Sequence, residues 1–103
     1  MNDQVFPTGK FTYTVGEYSP VVDIYEGGKI TLSLENEIIV ISKYQVTGDL
    51  LEVEDVEGSY AVPEYGAGRY RWNLDGNTLT FTLVEDKAPT RPKSFAVPWS
   101  RVE

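Results

Sequence analysis

The chain contains no cysteine and no histidine. Without thiols there is no disulfide and no thiolate nucleophile, and with imidazole also missing the common zinc ligand sets and the usual general base are gone. A Ser-His-Asp triad is excluded on the same ground. Basic residues are scarce too: 9 Lys and Arg stand against 16 Asp and Glu, a formal charge of −7 at pH 7. That balance disfavours nucleic acid and anionic membrane as partners. No apolar run approaches the roughly 20 residues of a membrane-spanning helix. Met1 to Pro7 shows no basic segment leading into an apolar one, so a cytoplasmic location is expected. The acids lack EF-hand spacing, and neither Gly27-Gly28 nor Gly66-Ala-Gly68 joins a strand to a helix. Neither a calcium loop nor a phosphate cradle follows, and no metal or other cofactor is expected.

What is present is apolar and aromatic. Of the 103 residues, 41% are hydrophobic and 13% aromatic, with 7 Tyr, 4 Phe and 2 Trp. A chain of this length and composition suits one folded domain over residues 1–103 rather than an acidic disordered tail. Its patterning has period two. Phe11, Tyr13 and Val15 alternate with Lys10, Thr12 and Thr14 from Gly9 to Val15, and the alternation returns in Lys29 to Leu34. Further runs cover Val21 to Tyr25, Glu37 to Thr47, Leu50 to Asp55, Gly68 to Leu74, Asn77 to Val84 and Ser94 to Val102. Almost no window of helical periodicity competes with them.

Turn signals set the pairing. Asp75-Gly76, read as a two-residue turn, pairs Leu74 with Asn77, Trp72 with Leu79 and Tyr70 with Phe81. At Gly27-Gly28 a three-residue loop with a glycine bulge sets Val22 and Ile24 beside Ile30 and Leu32, whereas a two-residue loop sets Asp23 there. The bulged form is preferred, since an unpaired buried carboxylate is costly, but the other register stays open. The only long connection is Glu57 to Ala67. Sequential hairpins without long crossovers favour closure, so the expected fold is all-β: an eight-stranded antiparallel up-and-down β-barrel with at most one short helical turn near 86–92.

Several short motifs then carry a resemblance. Gly9-x-Phe11 opens the first strand, Trp99-Ser-Arg101 closes the last, and between them run Tyr44-x-Val-Thr-Gly48, Leu51-x-Val-x-Asp55 and Gly68-x-Tyr-x-Trp-x-Leu-Asp-Gly-x-x-Leu-x-Phe81. This order resembles small bacterial lipocalin-like, calycin-type domains. Phe11 stands where those barrels usually carry Trp, and the chain is shorter than a typical lipocalin. The resemblance implies that Arg101 packs across Phe11 and seals one barrel end, and that the interior takes a ligand.

The inward face holds three tyrosines and two tryptophans. Tyr13, Tyr44, Tyr70, Trp72, Phe81, Phe95 and Trp99 are the candidate ligand-binding residues, because amphipathic rings give flat apolar contact with one polar handle. The competing reading is an interior wholly filled by side chains. Asp55 ends its strand facing inward, and Tyr60 follows in the long loop. As a catalytic set, Asp55 would be a base with Tyr44 or Tyr60 polarising a substrate oxygen; as a structural group, Asp55 pairs with Arg91 or Arg101. Glu85-Asp86 and Arg91 read as loop-fixing charges, and Arg69 and Arg71 as outward partners of acids. The leading expectation is a small barrel that binds an apolar or aromatic small molecule. The alternatives are a metal-free isomerase or cyclase using the same pocket, or a plugged barrel that binds a protein partner through its surface.

Overall fold

Each alternating run folds back on the one before it, and the last returns to the first. The computed structural model describes residues 5–102; Met1 to Gln4, part of the stretch read for a targeting signal, lie outside the described residues, as does Glu103. In chain order the strands are β1 (Gly9–Thr12), β2 (Val21–Tyr25), β3 (Lys29–Leu34), β4 (Glu37–Thr47), β5 (Leu50–Glu57), β6 (Ala67–Asp75), β7 (Thr78–Glu85) and β8 (Trp99–Arg101). They form one closed barrel in sequence order, and every neighbouring pair is antiparallel. The protein is therefore an all-β, eight-stranded up-and-down barrel. No helix among the described residues is long and apolar enough to cross a membrane.

Alternation decides which residues enter the core. At the β2–β3 turn Ile24 pairs with Ile30 and Val22 with Leu32, which is the three-residue loop. Asp23 consequently points outward, where it accepts a hydrogen bond from the Lys10 ammonium at 2.9 Å. The β6–β7 hairpin differs from expectation by one step. Asp75 pairs with Thr78, Leu74 with Leu79 and Trp72 with Phe81, so the turn is Gly76-Asn77. Gly76 takes the left-handed conformation at φ 61, and Asp75 gains a ladder partner. The shift slides each residue past its expected partner by two, which leaves the same side chains facing inward.

Other departures come from bulges and prolines. Opposite Leu32 and Ser33, β4 offers Val40 and then Ile38, so Ile39 is an extra residue. It is buried alongside Val40. A similar shift in β7 leaves Val84 unpaired between Leu83 and Glu85. Leu83, which alternation from Leu79 and Phe81 would turn inward, is 54% exposed. The interior beside Tyr70 and Phe81 is taken instead by Phe95, whose ring centroid lies 4.2 Å and 4.7 Å from theirs. Phe95 reaches that place from α1 (Arg91–Phe95), a short helix where the sequence suggested the start of the last strand. Pro92 fits the first helical turn, and Pro98 cannot donate to a ladder, so β8 begins only at Trp99. A second short turn, 3-10 in type, covers Pro63–Tyr65.

β8 is a thin seam. It pairs with β1 through Phe11–Arg101 and Thr12–Ser100, and with β7 through Thr78–Ser100 and Leu79–Trp99. β1 likewise leaves its ladder at Thr12, and Tyr13 to Pro20 form a connection held by a small Val15–Tyr18 bridge. Up-and-down connectivity gathers the long connections (13–20, 58–66 and 86–98) at one end of the barrel. The tight turns at 26–28, 48–49 and 76–77 gather at the other, together with the entry to β1.

Candidate functional site: an open end above a plugged one

The tight-turn end is filled. Phe6 packs edge-on against Trp72 and tilted against Tyr44, with centroids 5.3 Å away in each case. The Trp72 indole N–H donates to the Gly48 carbonyl at 3.1 Å, and the Tyr44 hydroxyl donates to the Tyr25 carbonyl at 2.8 Å. The Arg101 guanidinium sits 4.8 Å over the Phe11 ring and donates to the Thr8 carbonyl at 3.0 Å. Each amphipathic ring thus buries its body and satisfies its polar tip within the chain. Outside this plug lies a broad depression of about 390 Å³ edged by Phe6, Tyr44, Trp72 and the Glu26-Gly27 turn. It is larger than the cavity at the opposite end, but shallow and open to solvent.

The long-connection end holds a cavity of about 310 Å³ that is partly open to solvent. One wall is aromatic: Tyr13 stacks on Trp99 at 5.4 Å and 15°, and Phe95 lies 5.1 Å from Trp99. Leu32, Val40 and Val53 supply an aliphatic wall. At the mouth the rings of Tyr18 and Tyr60 face each other at 6.4 Å and 12°. The loop carrying Tyr60 is strapped down. Gly58, at φ 131, lies so close to the bulge that a Cβ there would come within 2.2 Å of the Ile39 carbonyl oxygen, and the Tyr60 N–H donates to that same oxygen at 3.0 Å. The β4 bulge and the glycine together fix where the mouth lies.

Beside the cavity runs a buried charge network. Arg91 donates from Nε and Nη2 to the two oxygens of Asp86 at 2.7 Å and 2.6 Å, a bidentate pair, and Nη2 also reaches the Gly66 carbonyl at 3.0 Å. Asp86 further accepts from the Tyr70 hydroxyl and from the Ala88 N–H. Its side chain is 0% exposed and that of Arg91 6%. Gly68 makes room for the carboxylate, because a Cβ there would fall 2.3 Å from Asp86 Oδ2. Asp55 continues the network: its Oδ1 lies 3.4 Å from Arg91 Nη1 and accepts from Ser42 Oγ at 3.1 Å, while Oδ2 accepts from the Val62 N–H at 2.9 Å. A buried ion pair holds only when its remaining hydrogen-bonding capacity is met, and these partners meet most of it.

Titration behaviour follows from the geometry. Burial pulls the Asp86 carboxyl upward, but hydrogen bonds from Arg91, Tyr70 and Ala88 outweigh it and hold the group below the ordinary carboxylate range. Burial likewise works against the Arg91 charge, and the Asp86 contact overcomes it, leaving its pKa raised. Tyr70 is raised by burial and by its bond to Asp86. Burial pushes the Tyr13 phenol up to about 12, against a weaker opposing contribution from Ser94. Two polar atoms remain buried without a well-formed hydrogen bond: the Tyr13 hydroxyl, despite Ser94 beside it, and Arg91 Nη1.

The barrel thus divides the sequence-derived candidates. Tyr13, Phe95, Trp99, Asp55 and Tyr60 meet at the cavity. Tyr44 and Trp72 belong to the plug, so the pairing of Asp55 with Tyr44 does not form. Tyr70 and Phe81 sit in the packed aromatic layer, with Phe81 4.7 Å from both Phe95 and Trp99. Asp55 takes Arg91 as its partner, and Arg101 lies at the opposite end. Arg69 and Arg71 face outward, donating to Glu52, Glu85 and Asp49. Sequence reasoning overlooked Phe6, Tyr18, Ser42 and Val62; the Val15-Gly-Glu-Tyr18 turn signal was the cue for Tyr18. Among the described residues no group of carboxylates could hold a metal ion. Comparison with family models, curated proteins and solved structures gives no match for this chain.

Proposed function

We propose that this barrel is a binding protein for a small, largely apolar molecule, with the cavity at the long-connection end as its site. The observation that carries the reading is the cavity itself: about 310 Å³ walled by Tyr13, Phe95 and Trp99 on one side and aliphatic residues on the other. That volume sits at the lower bound of small-molecule sites, roughly 300 Å³. The lipocalin-like order of motifs supports the same reading, as does the Arg101–Phe11 contact at the sealed end. Binding is favoured over isomerase or cyclase chemistry because Asp55, the one carboxylate on the cavity wall, already accepts from Ser42 and Val62 and faces Arg91. A base has to be free to turn toward the proton it takes, and these contacts fix the Asp55 carboxylate in the network. The lack of cysteine fits work in a reducing compartment, and we place the protein in the cytoplasm.

The test is uptake of N-phenyl-1-naphthylamine, whose emission rises in apolar surroundings. The native protein should take it up saturably, and Leu32→Trp, which fills the cavity from its wall, should abolish uptake while the barrel remains folded by circular dichroism. Absence of uptake by the native protein, or equal uptake by the filled variant, would refute the assignment to this cavity.

A further inference from the structure

The cavity wall is uneven in its hydrogen bonding. Its carboxylate is committed, since both oxygens of Asp55 accept from Ser42 or Val62 and one faces Arg91. Its donors are not. Tyr13 and Arg91 both line the cavity, are 3% and 7% exposed, and each keeps a buried polar atom without a hydrogen bond of good geometry. A buried unsatisfied donor is costly, and native chains rarely keep one without a use. Arg91 Nη1 can only donate. The Tyr13 phenol, held up to about 12, stays protonated at neutral pH and can donate as well. A molecule that completes this wall therefore has to bring an acceptor.

Charge narrows the acceptor. Arg91 and Lys93 on the wall stand against Asp55 on the wall and Asp86 behind Arg91, two cations to two carboxylates. The turns and strand ends at the same end of the barrel carry Glu17, Glu35, Glu57 and Glu64 against Lys87, an acidic excess. A ligand carboxylate would tip the buried balance negative and would approach through an acidic rim. An uncharged oxygen meets neither penalty. The flat Tyr13–Trp99 stack and the parallel Tyr18 and Tyr60 rings at the mouth favour a planar body.

Resting on the binding reading above, we infer that the ligand is a compact aromatic or conjugated molecule bearing one uncharged carbonyl oxygen, which accepts hydrogen bonds from Tyr13 and Arg91. Both donor atoms lie just beneath the wall in the free protein, so the oxygen reaches them by moving a neighbour aside. Ser94 is half-buried, beside Tyr13 and on the cavity wall, and is the side chain placed to yield.

Three naphthalenes of similar shape test this by calorimetric titration of the full chain: 2-acetylnaphthalene, 2-ethylnaphthalene and 2-naphthoate. The ketone should bind about tenfold more tightly than the hydrocarbon, the size of one well-formed hydrogen bond, and more tightly than the carboxylate. In Tyr13→Phe, which keeps the ring, the ketone-to-hydrocarbon ratio should fall several-fold. The carbonyl stretch of the bound ketone should move to lower frequency in the native protein, and less in the variant. Equal affinity for ketone and hydrocarbon overturns the inference but leaves the binding reading intact, as does a ratio unmoved by Tyr13→Phe. Tighter binding of the naphthoate overturns the uncharged class. If none of the three binds and N-phenyl-1-naphthylamine is also refused, both readings fall.

Discussion

The two ends of this barrel are built from the same kinds of residue and reach opposite outcomes. At the tight-turn end Tyr44, Trp72 and Arg101 each find a backbone carbonyl in a neighbouring turn or the β1 entry, and Phe6 fills what is left. At the other end Tyr13 and Arg91 retain unfilled donor capacity beside empty volume. The difference lies in the connections. Tight turns bring carbonyls close over the barrel mouth and leave no span to enclose, whereas the 13–20, 58–66 and 86–98 segments arch over the opening and need their own supports. Those supports are the Arg91–Asp86–Asp55 network and the Ile39 bulge. Where the chain closes an end with short turns, aromatic rings become packing; where it closes an end with long loops, the same rings become walls.

The comparison can be broken most severely at Asp86. Asp86→Ala leaves the Arg91 guanidinium buried without its bidentate partner, and the expected loss is about 3–5 kcal/mol by urea denaturation. The equivalent lesion at the other end, Phe6→Ala, should cost roughly 3 kcal/mol, the low side for a buried phenylalanine, because the depression outside the plug admits water to the site. It should leave N-phenyl-1-naphthylamine uptake intact. If Phe6→Ala abolished uptake, the ends would not be independent.

Acid should weaken the long-connection end first. Asp86 has a folded pKa below its unfolded value, so its contribution is complete above an ordinary carboxylate pKa of about 4. It is lost as pH falls through the lowered folded value. Below pH 4 the native protein should therefore lose stability more steeply than Asp86→Asn in parallel denaturation series. On the alkaline side the sign reverses for Tyr13, whose folded pKa of about 12 is raised. Its contribution is complete below about pH 10 and lost above it, and Tyr13→Phe should flatten that limb.

The smallest effect is expected at the β3–β4 turn. Glu35 and Asn36 both occupy left-handed conformations, at φ 52 and φ 68. Replacing them by Asn and Gly suits a turn of that kind, and should raise stability by about 0.5–1 kcal/mol without altering ligand uptake.

Period-two patterning made the barrel and its inward face legible. Lys29 to Leu34 and Arg69 to Leu74 alternate so strictly that a slip of the Gly76-Asn77 hairpin changed partners without changing faces. The acid-base pairs were legible too, because Asp86 and Arg91 are five residues apart and Asp55 ends an inward run. What the pattern could not convey was height along the barrel. Parity says that Tyr44 and Asp55 both face inward, but only the full ladder, with Tyr44 opposite Val53 and Ser42 opposite Asp55, puts them at different levels. Bulges were equally silent. Ile39 and Val84 break a ladder without breaking the composition of the run. The cavity wall also draws on Tyr18 and Val62, which sit outside the strands where alternation carries no information.

The chain has two tryptophans, and the barrel separates them: Trp72 lies in the plugged end and Trp99 on the cavity wall, within the thin β8 seam. The molecule therefore carries one intrinsic optical reporter for each end. With Trp72→Phe, all indole emission comes from the residue that touches both cavity and seam, so occupancy and barrel closure can be followed in one signal. With Trp99→Phe, the remaining emission follows the plug alone. Stopped-flow unfolding of this pair of single-tryptophan proteins would show in real time which end of the barrel parts first.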